Sequence, residues 1–261
     1  MKTDKFYTLI TISIISILLV SCTSKIETVE STTQTNDNLI AANIAQADDL
    51  CRQHEDLSKL RECINLLARV RNPDKRNYEV EWKFAKYNYF LGEQIEKDGE
   101  SEKFLEDGEE AGKIASRVEP NKPDGYFWYG ANLGELAKRS PLTKGLTSVD
   151  DIRAAMNKVI EIEPDYQGAS AYDALAQIEL STGLVGGKPE KAVEYLEKAI
   201  ALEADNSYLR LHLGQAYLAV NRKADAKKQL EFVLNMKPNP DFLPEYNESI
   251  EEAKKLLKTR F

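Results

Sequence analysis

The chain has 261 residues, of which 42% are hydrophobic and 30% are charged, so it is long enough to fold around a sizeable core. Its 43 acidic residues outnumber the 35 Lys and Arg residues and give a net charge of −8 at pH 7. Because the basic residues are interspersed with acidic ones and form no basic stripe, we expect no nucleic-acid partner.

The N-terminus combines the features of an export signal. Lys2 and Lys5 come first, residues 6–20 form an apolar run, and Leu19-Val20-Ser21-Cys22 is a lipobox. A membrane-spanning helix is the alternative, but the run has 15 residues, whereas a bilayer requires roughly 20. We therefore predict a signal peptide over residues 1–21 and a lipidated Cys22, whose several acyl chains would hold the protein to a membrane.

The segment after the lipidation site is polar. Thr23–Asp37 is rich in Ser and Thr and lacks an apolar period, as expected of a flexible linker. We predict a tether over residues 22–37 and a single folded domain over residues 38–261. Thr23 stands where an Asp would indicate inner-membrane retention, so in a Gram-negative host we expect an outer-membrane anchor with the protein facing the periplasm.

Two further cysteines, Cys51 and Cys63, follow the lipidated one. In an oxidising compartment they could form a disulfide. The alternative is a pair of buried, reduced thiols on adjacent helices. His54 lies between them, but two cysteines and one histidine without a fourth ligand make a poor zinc site, so we expect no metal.

A short phrase recurs at the ends of the helical stretches. Successive copies are 44, 40 and 34 residues apart, which is typical of stacked helix pairs. The copies are Val118-Glu119-Pro120, Ile162-Glu163-Pro164, Leu202-Glu203-Ala204 and Met236-Lys237-Pro238, with a degenerate copy at Arg71-Asn72-Pro73.

The last unit has a pattern of small and large apolar residues. Gly214 and Ala226 are small where two helices would cross, while Leu213, Tyr217 and Leu230 would fill the surrounding space. These positions resemble the tetratricopeptide repeat (TPR). We therefore predict an all-α, TPR-like α-solenoid of about four to five antiparallel helix pairs, with a C-terminal capping helix over 243–257.

Four earlier helix pairs are predicted before this last unit. They are Leu39–Gln53 with Leu57–Arg71, Tyr78–Leu91 with Glu102–Val118, Tyr126–Lys138 with Asp150–Ile162, and Ala169–Leu180 with Pro189–Leu202. In the fourth pair, Gly186-Gly187 precedes Pro189, the first helical residue. These glycines are either an ordinary turn, which we prefer, or an anion cradle at a helix start.

A curved stack presents the first helix of each pair on its concave side, and two of these helices are rich in aromatic residues. On the TPR register the predicted groove residues are Trp82, Tyr89, Phe127, Ala131, Asn132, Asp173, Gln177, Leu211 and Gln215. Core packing is the alternative for an aromatic stripe. However, the four consecutive aromatic residues 126–129 span more than about 300° of a helix, so we expect at least one to point into a groove or another chain.

Catalytic motifs are absent from the sequence, which has no GxSxG, HExxH, Walker-type or GxGxxG segment. Only His54 and His212 could act as imidazole bases. Adjacent carboxylates such as Asp150-Asp151 suit a helix start and do not by themselves indicate chemistry. We therefore expect a non-catalytic protein without a cofactor.

The segments GYFWYGANLGELAKRSP, IEIEPDYQGASAYDALAQIEL and GGKPEKAVEYLEKAI, followed by the last repeat, resemble the T component (TatT) family of TRAP-transporter-associated lipoproteins. The resemblance covers residues 78–236 and agrees with the lipobox, although residues 167–171 hold less glycine than is usual. It implies a periplasm-facing TPR-like lipoprotein with an apolar ligand cleft, a tendency to form homotrimers, and a periplasmic solute-binding protein as partner.

Two functional hypotheses follow. The first is a lipid-anchored accessory protein of TRAP-type solute uptake, which binds a small apolar ligand, a periplasmic solute-binding protein, or both. The second is a TPR scaffold that assembles other envelope proteins at the outer membrane. An enzyme with an unrecognised site is a remote third.

Overall fold

The computed structural model describes residues 36–52, 56–96, 98–145, 147–183, 186–238 and 243–261. The predicted signal peptide, the lipidated Cys22, most of the tether and His54 lie outside these ranges. Residues 36 and 37, predicted to end the tether, are already helical. Among the described residues, no helix is long and apolar enough to span a membrane.

The described part of the chain is helical throughout and contains no strand. Eleven helices follow one another: α1 (36–50), α2 (Leu57–Val70), α3 (Tyr78–Gln94), α4 (Asp98–Val118), α5 (Pro123–Arg139), α6 (Val149–Ile162), α7 (Tyr166–Ser181), α8 (Pro189–Leu202), α9 (Ser207–Ala219), α10 (Lys223–Asn235) and α11 (Leu243–Arg260). A π-helical turn, Pro141–Gly145, separates α5 from α6. The predicted all-α, TPR-like solenoid of about four to five helix pairs with a capping helix is confirmed, and the described residues form five such pairs.

Local chemistry sets the helix starts. Asp56 accepts hydrogen bonds from the Ser58 and Lys59 amides and caps α2, while Asn77 and Asn206 cap α3 and α9 in the same way. Pro123 and Pro189 occupy first helical positions, where a missing amide hydrogen costs nothing. These signals determine the residue at which each helix begins and therefore which side chains share a helix face.

Helix α7 begins with a left-handed turn. Gln167, Gly168 and Ala169 have φ angles of 50°, 65° and 60°, a region that only glycine occupies without a steric penalty. Regular helix therefore starts after Ala169, close to the predicted boundary. The irregular turn falls in the segment that holds less glycine than the resemblance led us to expect.

Small residues allow close helix crossings, as predicted for Gly214. A Cβ atom there would lie 2.9 Å from a methyl group of Leu230. The crossings of α4 are tighter, because a Cβ atom on Gly112 would lie 2.5 Å from the backbone nitrogen of Tyr129. Helices α4 and α5 thus approach to backbone contact.

A disulfide joins the two helices of the first pair, and ion pairs join the end of α2 to α3. A disulfide links Cys51, just after α1, to Cys63 on α2. On the adjoining helix α3, the Glu81 carboxylate is fully buried and pairs with Arg71 at 2.8 Å and Arg76 at 2.9 Å. A buried carboxylate needs such partners, because its desolvation would otherwise be prohibitive.

Candidate binding surface on the inner face of the stack

The first helices of successive pairs lie on one side of the molecule. Helix α3 packs on α5, α7 packs on α9, and α9 packs on α11. The hydroxyl of Tyr208 on α9 donates a hydrogen bond to Glu248 on α11, so α11 adjoins the same side. We call this side the inner face and define it by Tyr89, Glu93, Glu135, Lys138, Asp173, Gln177, Tyr208, His212 and Glu248.

An aromatic group lines the inner face where α3 meets α5. The Tyr89 ring lies 5.7 Å from Phe90 and 5.8 Å from Trp128, and Phe90 lies 5.6 Å from Trp128. Trp128 is buried, whereas Tyr89 and Phe90 are partly exposed. Lys86 lies 5.9 Å from the centres of Phe90 and Trp128. Burial, together with the Lys83 charge, lowers the pKa of Lys86.

A polar group occupies α7 and α9. The Asp173 carboxylate lies 2.8 Å from His212 Nδ1, and Gln177 donates a 3.4 Å hydrogen bond to the same carboxylate oxygen. The Tyr208 ring stacks on the His212 ring at 5.7 Å. Burial lowers the pKa of His212, but the Asp173 charge and hydrogen bond outweigh it and the net pKa is raised.

Two tyrosine–glutamate pairs flank these groups. The Tyr89 hydroxyl donates to Glu93 at 3.4 Å on α3, and the Tyr208 hydroxyl of α9 donates to Glu248 of α11. Both carboxylates are exposed. Partial enclosure by the stack and the nearby Glu135 charge raise the pKa of Glu93. Carboxylates, aromatic rings and one histidine therefore share a single concave surface.

Four of the predicted groove residues fit this surface. Tyr89, Asp173 and Gln177 lie on the inner face, and Gln215 is partly exposed one helical turn after His212. Ala131 is also partly exposed and packs against the main core. Phe127 is buried with its ring 5.3 Å from that of Tyr166. It therefore links α5 to α7 instead of facing solvent.

Asn132 and Leu211 do not line the groove, which corrects the expectation for both. Asn132 is fully buried, because Gly108 allows α4 to pack directly against it. Its side-chain amide donates to the carbonyl oxygens of Ala85 and Trp128. Leu211 is 3% exposed and packs with Leu230 and Ala253. The capping helix α11 covers it.

The four consecutive aromatic residues of α5 face different neighbours, as predicted, but none projects freely from the fold. Phe127 meets Tyr166 and Trp128 meets Tyr89. Tyr126 is partly buried against the main core. Tyr129 is also partly buried, with Lys113 5.6 Å from its ring centre, and burial together with Asp151 raises the pKa of Tyr129 to about 12. Tyr126 and Tyr129 are partly exposed, so the expectation that one of the four residues points into a groove or another chain stays a prediction.

Trp82, two helical turns before Tyr89 on α3, lies at an open depression of about 550 Å³. Its walls are Arg76, Asn77, Tyr78, Glu79, Trp82, Val118, Glu119, Lys122 and Asp124. The Lys122 ammonium group lies 4.6 Å from the Tyr78 ring centre. Both charge signs are present in this depression, and Trp82 is its largest apolar side chain.

The turn before α8 is an ordinary turn and not an anion cradle. The Glu179 carboxylate accepts the Lys188 amide at 2.8 Å and pairs with Arg153 at 2.5 Å. Burial would raise the pKa of Glu179, but these hydrogen bonds outweigh it and hold the pKa below its ordinary value. A carboxylate of the chain itself therefore occupies the place that a bound anion would take.

Sequence reasoning missed six members of the inner face. They are Glu93, Glu135, Lys138, Tyr208, His212 and Glu248. The spacing of four between Tyr89 and Glu93 and between Tyr208 and His212 could have found three of them, Glu93, Tyr208 and His212, since such residues share a helix face. Within the described ranges, no group of three or more His, Cys, Asp or Glu residues could hold a metal ion.

Comparisons with known proteins agree with this architecture. A family model described as Regulator of microtubule dynamics protein 1-3 matches residues 43–172, and a tetratricopeptide repeat model matches residues 186–243. No curated protein gives a significant match.

Two solved structures are similar in fold. A thermophilic TPR protein from Thermus thermophilus is 19% identical with a TM-score of 0.55, and the match covers 83% of this chain and 99% of that chain. A structure of MamA AMB-1 is 13% identical with a TM-score of 0.50, covering 87% of this chain and 94% of that chain. At these identities the likeness concerns the fold.

Proposed function

Because this chain is a tetratricopeptide-like helical repeat protein, we propose that it is a non-catalytic scaffold whose inner face binds a segment of a partner protein. The observation that carries the proposal is the composition of that face. Partly exposed aromatic rings at Tyr89 and Phe90 adjoin polar groups at Asp173 and His212. Apolar contact area beside directional polar groups is what a protein interface requires.

The inner face suits an extended partner better than a compact one. Its groups are distributed along α3, α5, α7, α9 and α11, so a ligand that contacts them all must follow the stack. A polypeptide segment can do this with successive side chains, and repeat proteins commonly use such long concave surfaces for binding.

We place this activity at the cell envelope. The lipobox and the polar tether would hold the folded part near the outer membrane, on its periplasmic side, through acyl chains on Cys22. The disulfide between Cys51 and Cys63 supports an oxidising compartment, since disulfides are rare where thiols are kept reduced.

The second candidate is the accessory role in TRAP-type solute uptake, with a small apolar ligand, a periplasmic solute-binding protein as partner and a homotrimeric state. The depression at Trp82 favours it, since its volume of about 550 Å³ lies in the range of small-molecule sites. Calorimetric titration with candidate solutes would separate the two. A heat of binding that the wild type shows and the Trp82→Ala variant lacks favours the accessory role. No heat of binding in the wild type favours the scaffold.

Site-specific photo-crosslinking tests the scaffold directly. A photoreactive residue would replace Gln177 or Gln215 on the inner side, and Glu194 or Lys227 on exposed positions of the second helices. In intact cells, the proposal predicts a discrete crosslinked partner from the inner positions and none from the outer positions. Equal crosslinking from both sides would contradict it.

A further inference from the structure

We infer that Lys86 binds a carboxylate side chain of the partner segment, while Trp82 and Phe90 hold apolar side chains on either side of it. This inference rests on the proposed scaffold function and assigns the chemistry of one part of its surface. Trp82, Lys86 and Phe90 follow one another at intervals of four residues on α3, so they share a helix face. We call these three residues, together with Trp128, the Lys86 site.

The Lys86 ammonium group lies among aromatic rings. Its nitrogen is 5.9 Å from the ring centres of Tyr87, Phe90 and Trp128, and the side chain is half-buried. Among the residues that the structure describes, this ammonium group forms neither an ion pair nor a hydrogen bond. Ring faces attract the cation, but they replace only part of the hydration that burial removes.

The carboxylates that act on Lys86 are engaged elsewhere. Asp48 accepts the Lys83 ammonium group at 2.5 Å and the Tyr87 hydroxyl at 2.7 Å, and Asp124 accepts two tyrosine hydroxyls. Both charges raise the pKa of Lys86, but burial and the Lys83 charge outweigh them and lower it. A carboxylate from a partner would therefore meet a cation that the fold leaves largely uncompensated.

The cations further along the inner face have internal partners. Lys138 lies 3.0 Å from Glu135, and His212 lies 2.8 Å from Asp173. An anion that approached either of them would compete with a carboxylate of the chain itself. At Lys86 an incoming carboxylate displaces no such partner, so the charge complementarity there is available to a second molecule.

One ammonium group suits a single carboxylate better than a phosphate. A phosphate group requires several donors, and the neighbouring Lys83 is held by Asp48 at 2.5 Å. The exposed Glu93 carboxylate is seven residues further along α3, which is roughly 10 Å at the helical rise and about one Debye length at physiological salt. One Asp or Glu at Lys86 would be largely screened from Glu93, whereas a run of acidic residues would be repelled by it.

The rings on either side favour a polypeptide over a small acid. Trp82 and Phe90 are eight residues apart, which is roughly 12 Å along a helix. In an extended segment, residues four positions apart are separated by about 13 Å and point to the same side. An acidic residue at Lys86, with apolar residues two positions before and two positions after it, therefore matches the site. The depression of about 550 Å³ at Trp82 offers space for one of these apolar side chains.

Peptide binding to the complete folded domain tests the inference. The first probe is a fluorescently labelled twelve-residue peptide of serine and glycine with a central Leu-Ser-Glu-Ser-Leu segment. The second has glutamine in place of glutamate, the third has the leucines directly beside the glutamate, and unlabelled hexanoate is the competitor. The variants are Lys86→Met, which keeps the length of the stem, and Lys86→Arg, which keeps the charge. Lys198→Met, at an exposed lysine on α8, is the matched control.

We expect the first peptide to bind about tenfold tighter than the glutamine peptide, and Lys86→Met to abolish this difference. Lys86→Arg should keep most of it, Lys198→Met should behave like the wild type, and the third peptide should bind more weakly than the first. Equal affinities for the glutamate and glutamine peptides, binding of neither, or a preference that Lys86→Met retains would overturn the inference. Displacement by hexanoate at equal concentration would also overturn it and would indicate a site for small acids.

Urea unfolding separates lost binding from lost folding. Because Lys86 has no internal ion pair among the described residues, Lys86→Met should unfold at the same urea concentration as the wild type or at a higher one. Unfolding at a lower concentration would show that the fold itself uses this charge, and it would contradict the inference.

Failure of this inference is distinguishable from failure of the scaffold function. If Gln177 and Gln215 crosslink a partner equally well in the wild type and in Lys86→Met, the scaffold stands and the carboxylate site falls. If the inner positions crosslink nothing, the scaffold function itself is contradicted.

Discussion

The hydroxyl of Tyr166 donates a 2.7 Å hydrogen bond to the carboxylate of Asp124, which joins α7 to α5. The other oxygen of the same carboxylate accepts the hydroxyl of Tyr78 on α3 at 2.5 Å. One aspartate therefore ties together the first helices of three successive pairs. Because these helices carry the inner face, Asp124 helps to set its curvature.

Replacing Asp124 by Asn should lower the free energy of unfolding by about 1.5–3 kcal/mol, the typical contribution of hydrogen bonds to a charged group. Urea unfolding measures this loss. Burial and the Asp124 carboxylate raise the pKa values of Tyr78 and Tyr166, so an alkaline spectrophotometric titration should show tyrosines ionising at lower pH in the variant. Asp165→Asn, at an exposed position without a side-chain cap, is the control, and equal losses in the two variants would contradict the linking role.

The Cys51–Cys63 disulfide closes a short loop at the first helix pair. Changing both cysteines to Ser should lower the free energy of unfolding by about 2–4 kcal/mol, chiefly because the unfolded chain gains freedom. The structural effect should be local. Hydrogen exchange should speed up in α1 while α9 and α10 keep their protection, and uniform loss of protection would contradict a local role.

The Asp173–His212 pair should make stability depend on pH. The folded-state pKa of His212 is raised above its unfolded value of about 6.5. The stabilisation is therefore fully present below about pH 6.5 and is lost as pH rises through the folded pKa. Lys138 and Glu248 also act on this ring, in opposite directions. Imidazole NMR titration measures the pKa, and Asp173→Asn should lower it; an unchanged pKa would contradict the pairing.

Two glycines of neighbouring helices should respond oppositely to alanine. At Gly112 the added Cβ would lie 2.5 Å from the Tyr129 backbone nitrogen, so Gly112→Ala should cost about 1–3 kcal/mol through forced separation of α4 and α5. At Gly134 no described atom beyond its chain neighbours and the adjoining backbone of its own helix lies within 4 Å of the added Cβ. Gly134→Ala should therefore stabilise the helix by about 0.5–1 kcal/mol. Urea unfolding of both variants gives the comparison, and a destabilised Gly134→Ala would contradict it.

The fold could be predicted because the same sequence signals recur in each repeat of the chain. Small residues such as Gly214 mark helix crossings, and prolines such as Pro189 mark helix starts. Each repeat confirms the period of the others. Most predicted helix boundaries lie within three residues of the observed ones, but α4 begins at Asp98 instead of Glu102, and α7 begins with the left-handed turn at Gln167–Ala169.

The surface could be predicted only in part, since exposure depends on what covers a helix. Asn132 is polar and fell on the expected register, but the glycines of α4 bring that helix over it. Leu211 is covered by α11. The sequence pattern of α9 does not predict this contact. Glu248 reaches the inner face from a helix expected only to cap the core. Each of these outcomes depends on contacts between distant segments.

Hydrogen exchange of the complete folded domain, with and without the partner captured from the inner positions, tests the central claim most directly. We predict added protection on α3, α5, α7 and α9, with α4, α6, α8 and α10 unchanged. Protection confined to the second helices would contradict the assignment of the inner face as the binding surface.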